Sequence, residues 1–173
     1  MSPFDWKMID GIMDDGKTKH QFPLIMGVDG AGTVEEVAEG VTRFKKGDKV
    51  YGQFIHSPIG EGSFAEYVIV PEKSGITLAP SSLSAVEAAA VPTSGMTAQQ
   101  LLDKLDLQDG DTLLIDGASG GVGSFATQLA AAQGIQVIAT VSDEASSARM
   151  KKLGAAVTVN YKEASLQKQV KAK

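Results

Sequence analysis

Residues 111–142 read DTLLIDGASGGVGSFATQLAAAQGIQVIATVS. An apolar run from Thr112 to Ile115 stops at a cluster of glycines, and a helical pattern of small residues follows. A second apolar run, 136–141, comes close behind. Strand, glycine turn, helix and strand in that order specify a parallel βαβ unit with a right-handed crossover. Val122, Phe125, Ala126 and Leu129 recur at helical spacing and mark the face that packs on the sheet. The first strand has no polar alternation, so it is expected to be covered on both faces.

The glycines carry the chemistry. A tight turn, a backbone that approaches a pyrophosphate, and a helix packed hard on a strand each require glycine. The first N–H groups of the helix have no intrahelical partner and can face an anion. The strict fingerprint is G-x-G-x-x-G; aligned on its last glycine, the chain offers Ala118, Gly120 and Gly123, with Gly117 just before. A glycine-rich turn without a ligand has the same pattern in isolation. The apolar strand before it, the helix after it and the second strand behind favour a dinucleotide, held by Ala118, Ser119, Gly120, Gly121, Val122 and Gly123. A Walker-type loop needs Gly-Lys-Ser/Thr at the helix start, and here Val122-Gly123-Ser124 has no lysine.

The second strand ends Ala139-Thr140-Val141-Ser142. NAD binders usually place Asp or Glu there for the ribose 2′-OH. Ser142 removes a carboxylate that would repel a 2′-phosphate, which favours NADPH. Asp143 and Glu144 follow at once and keep NADH open, although both also read as an acidic first helical turn.

Composition excludes other classes. Hydrophobic residues make up 43% of the 173 and charged residues 21%, ordinary values for a globular protein. The net charge of −5 and the lack of a basic patch argue against a nucleic-acid partner. No apolar run is long enough to span a membrane, and MSPFDWKMID lacks the pattern of a signal peptide. With no cysteine there is no disulfide, thiolate zinc site or thiol nucleophile, and a cytoplasmic location is expected.

Upstream of residue 80 the chain reads as β structure, with glycine-punctuated runs at 32–37, 49–52 and 64–70 and a turn at Lys46-Gly47-Asp48. Ser84-Ala85-Val86-Glu87 is a capping box that starts a short helix through Val91, which Pro92 is expected to end. A helix over 95–104 and a turn at Asp109-Gly110 follow. Then come strand 112–116, helix 121–133, strand 136–141, helix 143–153 and strand 156–159. The expected domains are 1–80, a β domain, and 81–173, a nucleotide-binding α/β domain. Only three parallel strands are present, and 168–173 continues a helical pattern without a capping glycine. The chain is therefore expected to be an internal fragment of a longer two-domain protein.

Pro23-Leu24-Ile25-Met26-Gly27-Val28-Asp29-Gly30-Ala31-Gly32-Thr33-Val34 and the run from Gly40 to Val50 resemble the GroES-like domain of medium-chain dehydrogenases/reductases. Gly62 to Tyr67 and Ala88 to Ala98 continue the likeness. Ala118 to Gly123, Leu153-Gly154-Ala155 and Asn160-Tyr161-Lys162 resemble the zinc-free quinone oxidoreductase branch. The resemblance implies a GroES-like β domain followed by the first half of a Rossmann doubly wound sheet, both truncated. It implies an oxidoreductase that transfers hydride from NADPH to a quinone or α,β-unsaturated carbonyl. The alternative is a non-catalytic nucleotide-binding remnant or interaction module.

Particular residues carry the rest. Zinc alcohol dehydrogenases have Gly-His-Glu where this chain has Gly27-Val28-Asp29, and Gln53 to Gly62 is too short for a structural-zinc lobe. His20 and His56, the two histidines, read as surface or loop residues, so no metal site is expected. By resemblance, Ser2 to Gly11 lines the substrate cleft, with Lys7 and Trp6 in cleft positions and Thr97 near the nicotinamide. Lys7 reads equally as an oxyanion donor or a solvated lysine, and Asp5 as a holder of loop geometry. Ser146 stands where relatives have a lysine for the 2′-phosphate, with Arg149 a helical turn on. Tyr161 matches a tyrosine on the adenosine ribose, or else packs on the sheet. A small-molecule substrate is implied, and a homodimer is among the assemblies the resemblance allows.

Overall fold

A computed structural model describes residues 2–11, 17, 20–56 and 59–163; the helical pattern over 168–173 lies outside them. The chain forms two compact units, Met1–Thr93 and Ser94–Lys173.

The first unit opens with α1 (Pro3–Ile9). Ser2 caps it: its hydroxyl accepts from Phe4 N at 3.2 Å, and Asp5 accepts from Ser2 N at 2.5 Å. Pro3 sits at the first helical position, where its fixed φ suits the helix and its missing N–H costs nothing. Asp5 is only 3% exposed because its second oxygen accepts from Val28 N at 2.9 Å. Beside it Met8, Val28 and Ile59 pack together.

β1 (His20–Ile25) pairs in parallel with β4 (Ile59–Glu61). β2 (Asp29–Thr33), β3 (Lys49–Gln53) and β5 (Ile76–Leu78) form an antiparallel sheet in the order β2-β3-β5. Phe44, Val50, Phe54 and Ile76 are its core. The strand expected over 32–37 begins earlier, as β2. Its irregular continuation keeps the Lys46-Gly47-Asp48 turn, with Val34 N on Asp48 O at 2.9 Å. No strand forms over 64–70. Only Val68 and Val70 there reach the Phe44 cluster, whereas Phe64, Tyr67 and Ile69 are 51%, 79% and 79% exposed. Both edges of β3 are already paired, by β2 and β5. β1, β4 and β5 went unrecognised because they are short or interrupted by Pro23 and Gly60.

The capping box at Ser84 forms as expected: Glu87 N donates to Ser84 Oγ at 3.3 Å and Ser84 N to Glu87 Oε2 at 2.8 Å. It starts α2 (Ala85–Ala89). Pro92 does not merely stop this helix; it is the first residue of α3 (Pro92–Leu105), the position proline favours. Asp29 of β2 accepts from Thr93 N at 3.1 Å and Thr93 Oγ1 at 2.7 Å, so a carboxylate 64 residues away serves the start of α3. Gln53 of β3 donates to the same hydroxyl at 3.0 Å.

In the second unit β6 (Thr112–Ile115), α4 (Gly121–Ala132), β7 (Gln136–Val141), α5 (Glu144–Lys152) and β8 (Val157–Asn160) follow α3. The strands are parallel in the order β6-β7-β8. Apolar runs and small-residue periodicity place each element within a residue of its expected ends. β7 is central, and Val137, Ala139 and Thr140 are fully buried. Met150 of α5 is also fully buried, which by area contributes roughly 1.5–3 kcal/mol. β6 departs from expectation: Leu114 is 43% exposed. Among the described residues β6 pairs only with β7, so its other edge and part of each face stay open. Among the described residues no helix is long and apolar enough to cross a membrane.

Two substitutions test this packing. Burial raises the pKa of Asp29; the Thr93 bonds pull against that and the nearby Asp5 charge adds to it. A carboxylate pKa above its unfolded value means the native state holds the proton longer. Stability therefore falls as pH rises from 3.8 through the folded value and stays lower above it. Asp29→Asn keeps the acceptor for Thr93 without the charge. Its Tm relative to wild type is expected to climb over that window and then level off; a decline with rising pH would contradict the burial cost. At Gly123 a Cβ would lie 2.5 Å from Gly117 O and 2.6 Å from Ala118 Cα, both backbone. Gly123→Ala should cost about 1–3 kcal/mol in urea unfolding; an unchanged midpoint would mean the helix is not held that close.

Candidate nucleotide-binding site

β6 ends at Ile115, and Asp116 to Gly120 turn the chain into α4. Gly117 takes φ +68°, a left-handed conformation that a side chain disfavours. Gly120 N closes the turn on Gly117 O at 3.0 Å. Gly117, just before the fingerprint position held by Ala118, is thus the residue that makes the turn. Ala118, expected among the residues that hold the dinucleotide, is fully buried, backbone included. Gly123 lets α4 lie on the turn, and Ser94 Oγ of α3 lies over Gly121.

Gly120 is the N-cap of α4, and no side chain caps it. The N–H groups of the first turn, Gly121 to Gly123, are left without intrahelical acceptors. They and the helix dipole make this end a place for an anion. It lies at the carboxyl end of a parallel strand, where open α/β sheets bind their ligands.

A latch from a buried threonine holds the turn. Thr140 of β7 donates to Asp116 Oδ1 at 2.8 Å and accepts from Gly117 N at 2.9 Å. Sequence reading missed both residues. A threonine inside an apolar strand is an ordinary β former, and Asp116 looks like a turn residue. The signal available was a hydroxyl at a fully buried position of a parallel strand, which must find a partner.

The ribose end gathers at the ends of β7 and β8. Tyr161 N donates to Val141 O at 3.2 Å, which puts the half-exposed Tyr161 beside Ser142. Asp143 is the N-cap of α5. Its Oδ1 accepts from Ser146 N at 2.7 Å and its Oδ2 from Ser142 Oγ at 2.8 Å. These bonds, with a smaller contribution from Lys162, hold its carboxyl below the usual range. Arg149 reaches back along α5, and its Nη2 donates to Ser119 O at 2.6 Å.

A cavity of about 550 Å³ borders the turn. Leu101, Leu105, Leu113 and Leu114 form its far wall, along the open edge of β6. Lys104 lines the same cavity among these leucines. Trp6 and Lys7 are exposed on α1 in the first unit, with the Lys7 ammonium 5.7 Å from the Trp6 ring centre. Thr97 is half-buried on α3 in the second. His56 lies in the loop after β3, half-buried, with Nε2 3.0 Å from Ile69 O. Among the described residues no three His, Cys, Asp or Glu side chains converge.

The profile of the alcohol dehydrogenase GroES-like domain matches residues 1–81, and that of zinc-binding dehydrogenase matches 121–173. A chloroplast envelope quinone oxidoreductase homolog of Arabidopsis thaliana is 38% identical over 168 residues, 94% of this chain and 50% of the relative. The quinone oxidoreductase structure of Pseudomonas syringae pv. Tomato superposes with a TM-score of 0.83 at 34% identity, covering 98% of this chain and 50% of that one. The Escherichia coli quinone oxidoreductase, solved in complex with NADPH, gives 0.77 at 27% identity, covering 99% and 50%. The chain spans about half the length of the relatives it matches. With a GroES-like β domain followed by a Rossmann-type parallel sheet, it belongs to the medium-chain dehydrogenase/reductase superfamily, in its quinone oxidoreductase-like branch.

Proposed function

We propose that the protein carrying this chain is an oxidoreductase that moves a hydride from NADPH to a quinone or α,β-unsaturated carbonyl without zinc. The carrying observation is the uncapped start of α4 above the Gly117 turn, with Ser142 and Tyr161 together at the neighbouring strand ends. These residues fit a dinucleotide. At Gly120 no side chain stands between the turn and a pyrophosphate, while Gly123 brings α4 close to the turn. Ser119 to Gly123 would hold the phosphates, and Ser142, Ser146 and Tyr161 would face the adenosine ribose. Residues 1–80 would serve the acceptor and 81–173 the nucleotide. The NADPH complex of the E. coli relative supports this choice of cofactor.

When bound, the cofactor supplies the hydride; the chain supplies binding and charge. Lys7 can donate from Nζ to an oxygen that gains negative charge, and Trp6 can bound the same space with an apolar face. Thr97 would orient the ring end. The zinc-free reading rests on residue types: position 28 is valine where zinc enzymes carry a ligand histidine, and there is no cysteine in the chain. Without a Lewis acid, acceptors already activated by conjugation suit the site best.

Oxidation of NADPH by the full gene product, followed at 340 nm with a quinone and with an enone, tests the reading. Turnover with at least one is expected. Binding without turnover would favour the alternative, a non-catalytic nucleotide-binding module. Lys7→Ala should lower kcat by roughly 10²-fold with NADPH affinity unchanged; an unaltered kcat would return Lys7 to the solvated surface. The 173-residue chain alone is expected to bind nucleotide but turn over slowly.

A further inference from the structure

We infer that Asp5 is a positioning residue for the acceptor end of the reaction: it seats α1 on the backbone at Val28 and thereby aims Lys7. The inference rests on the proposed oxidoreductase reading and deepens it.

α1 has seven residues, far fewer than an isolated helix needs to hold itself in water. Its place is therefore set by what it touches. Met8 packs with Val28 and Ile59, and Phe4 packs against them. Apolar contact of this kind has no direction, so it leaves the helix free to roll. Hydrogen bonds have direction, and Asp5 supplies two. One oxygen accepts from Ser2 N at 2.5 Å, within the cap of α1. The other accepts from Val28 N at 2.9 Å, 23 residues along the chain. Val28 is itself held: its carbonyl accepts from Phe54 N at 2.6 Å, and Phe54 belongs to the core of the antiparallel sheet.

Capping alone does not call for this arrangement. Glu87 completes the equivalent box at α2 from an exposed position, and its carboxylate turns to Ser84 N and Oγ. Asp5 is buried, and a buried carboxylate is costly unless its oxygens are satisfied. Its second oxygen is satisfied by a backbone outside the helix. Trp6 and Lys7 follow directly on the exposed side of α1. The Lys7 ammonium lies over the Trp6 ring, so the two move as a pair. A roll of α1 redirects both, and the Asp5 bond to Val28 is what opposes that roll.

The amide of Asp5→Asn has one acceptor oxygen where the carboxylate has two, so it serves Ser2 N or Val28 N but not both. The test is made in the full gene product, with NADPH and the quinone or enone that turns over. Asp5→Asn should lower kcat about 10-fold, with the NADPH dissociation constant from calorimetry unchanged. In a Lys7→Ala background the same change should cost less than about 2-fold, because the group it positions is gone. Asp5→Glu keeps both oxygens on a longer arm and displaces the helix; it should repeat this Lys7-dependent pattern and serves if Asp5→Asn does not fold. An equal loss of kcat in both backgrounds means Asp5 only supports the fold, which overturns the inference. So does an unchanged kcat in the single variants, or an unchanged kcat in Lys7→Ala. Wild type that binds NADPH but reduces neither quinone nor enone overturns the oxidoreductase reading, and the inference with it.

Discussion

The second unit depends on one close approach: α4 lies against its own incoming turn at Gly123, where the space for a side chain is already filled by the backbone of Gly117 and Ala118. Moving the helix out by the width of a methyl group would have two consequences. The first-turn N–H groups would lose their aim at the carboxyl end of β6. Ala126 and Ala130, which α4 inserts into the core, would lift from the sheet beneath. Binding geometry and core packing therefore share a single contact. A packing change here cannot leave the start of α4 unaltered.

The latch beneath it works in the same direction. Thr140 is buried, so its hydroxyl has to be satisfied inside the protein. It is satisfied by Asp116 and Gly117, the residues that turn the chain out of β6. The turn is thereby tied to the central strand rather than left to the loop. Asp29 does comparable work in the first unit, where it serves the start of α3 from β2. In both cases a side chain on a strand fixes a backbone N–H that begins the next element.

How far the sequence discloses this depends on which signal each feature uses. α4, β7, α5 and β8 are legible because apolar period and small residues repeat over whole elements, and Ser84-x-x-Glu87 because a capping box is a local device. The first unit is harder. β4 and β5 are three residues each, too short for a period to show, and β1 contains a proline. Phe64 to Val70 has strand-like composition but forms no strand, and Phe64, Tyr67 and Ile69 stay exposed. Pro92 has opposite meanings for the helix before it and the helix after it, and only the fold tells which governs. Within the site the glycines were legible, while Asp116, Thr140 and the reach of Arg149 were not. Those contacts join residues 23 to 30 positions apart on different elements.

The ribose end follows from this distance dependence. Asp143 is a local helix cap, and capping alone accounts for its two hydrogen bonds. The cap also fixes its neighbours, because Ser142 and Ser146 each donate a hydrogen bond to it. Lys162, in the segment after β8, adds positive charge near the carboxylate. One capping residue thus ties the end of β7 to the start of α5, and helix capping sets the polar groups at this corner.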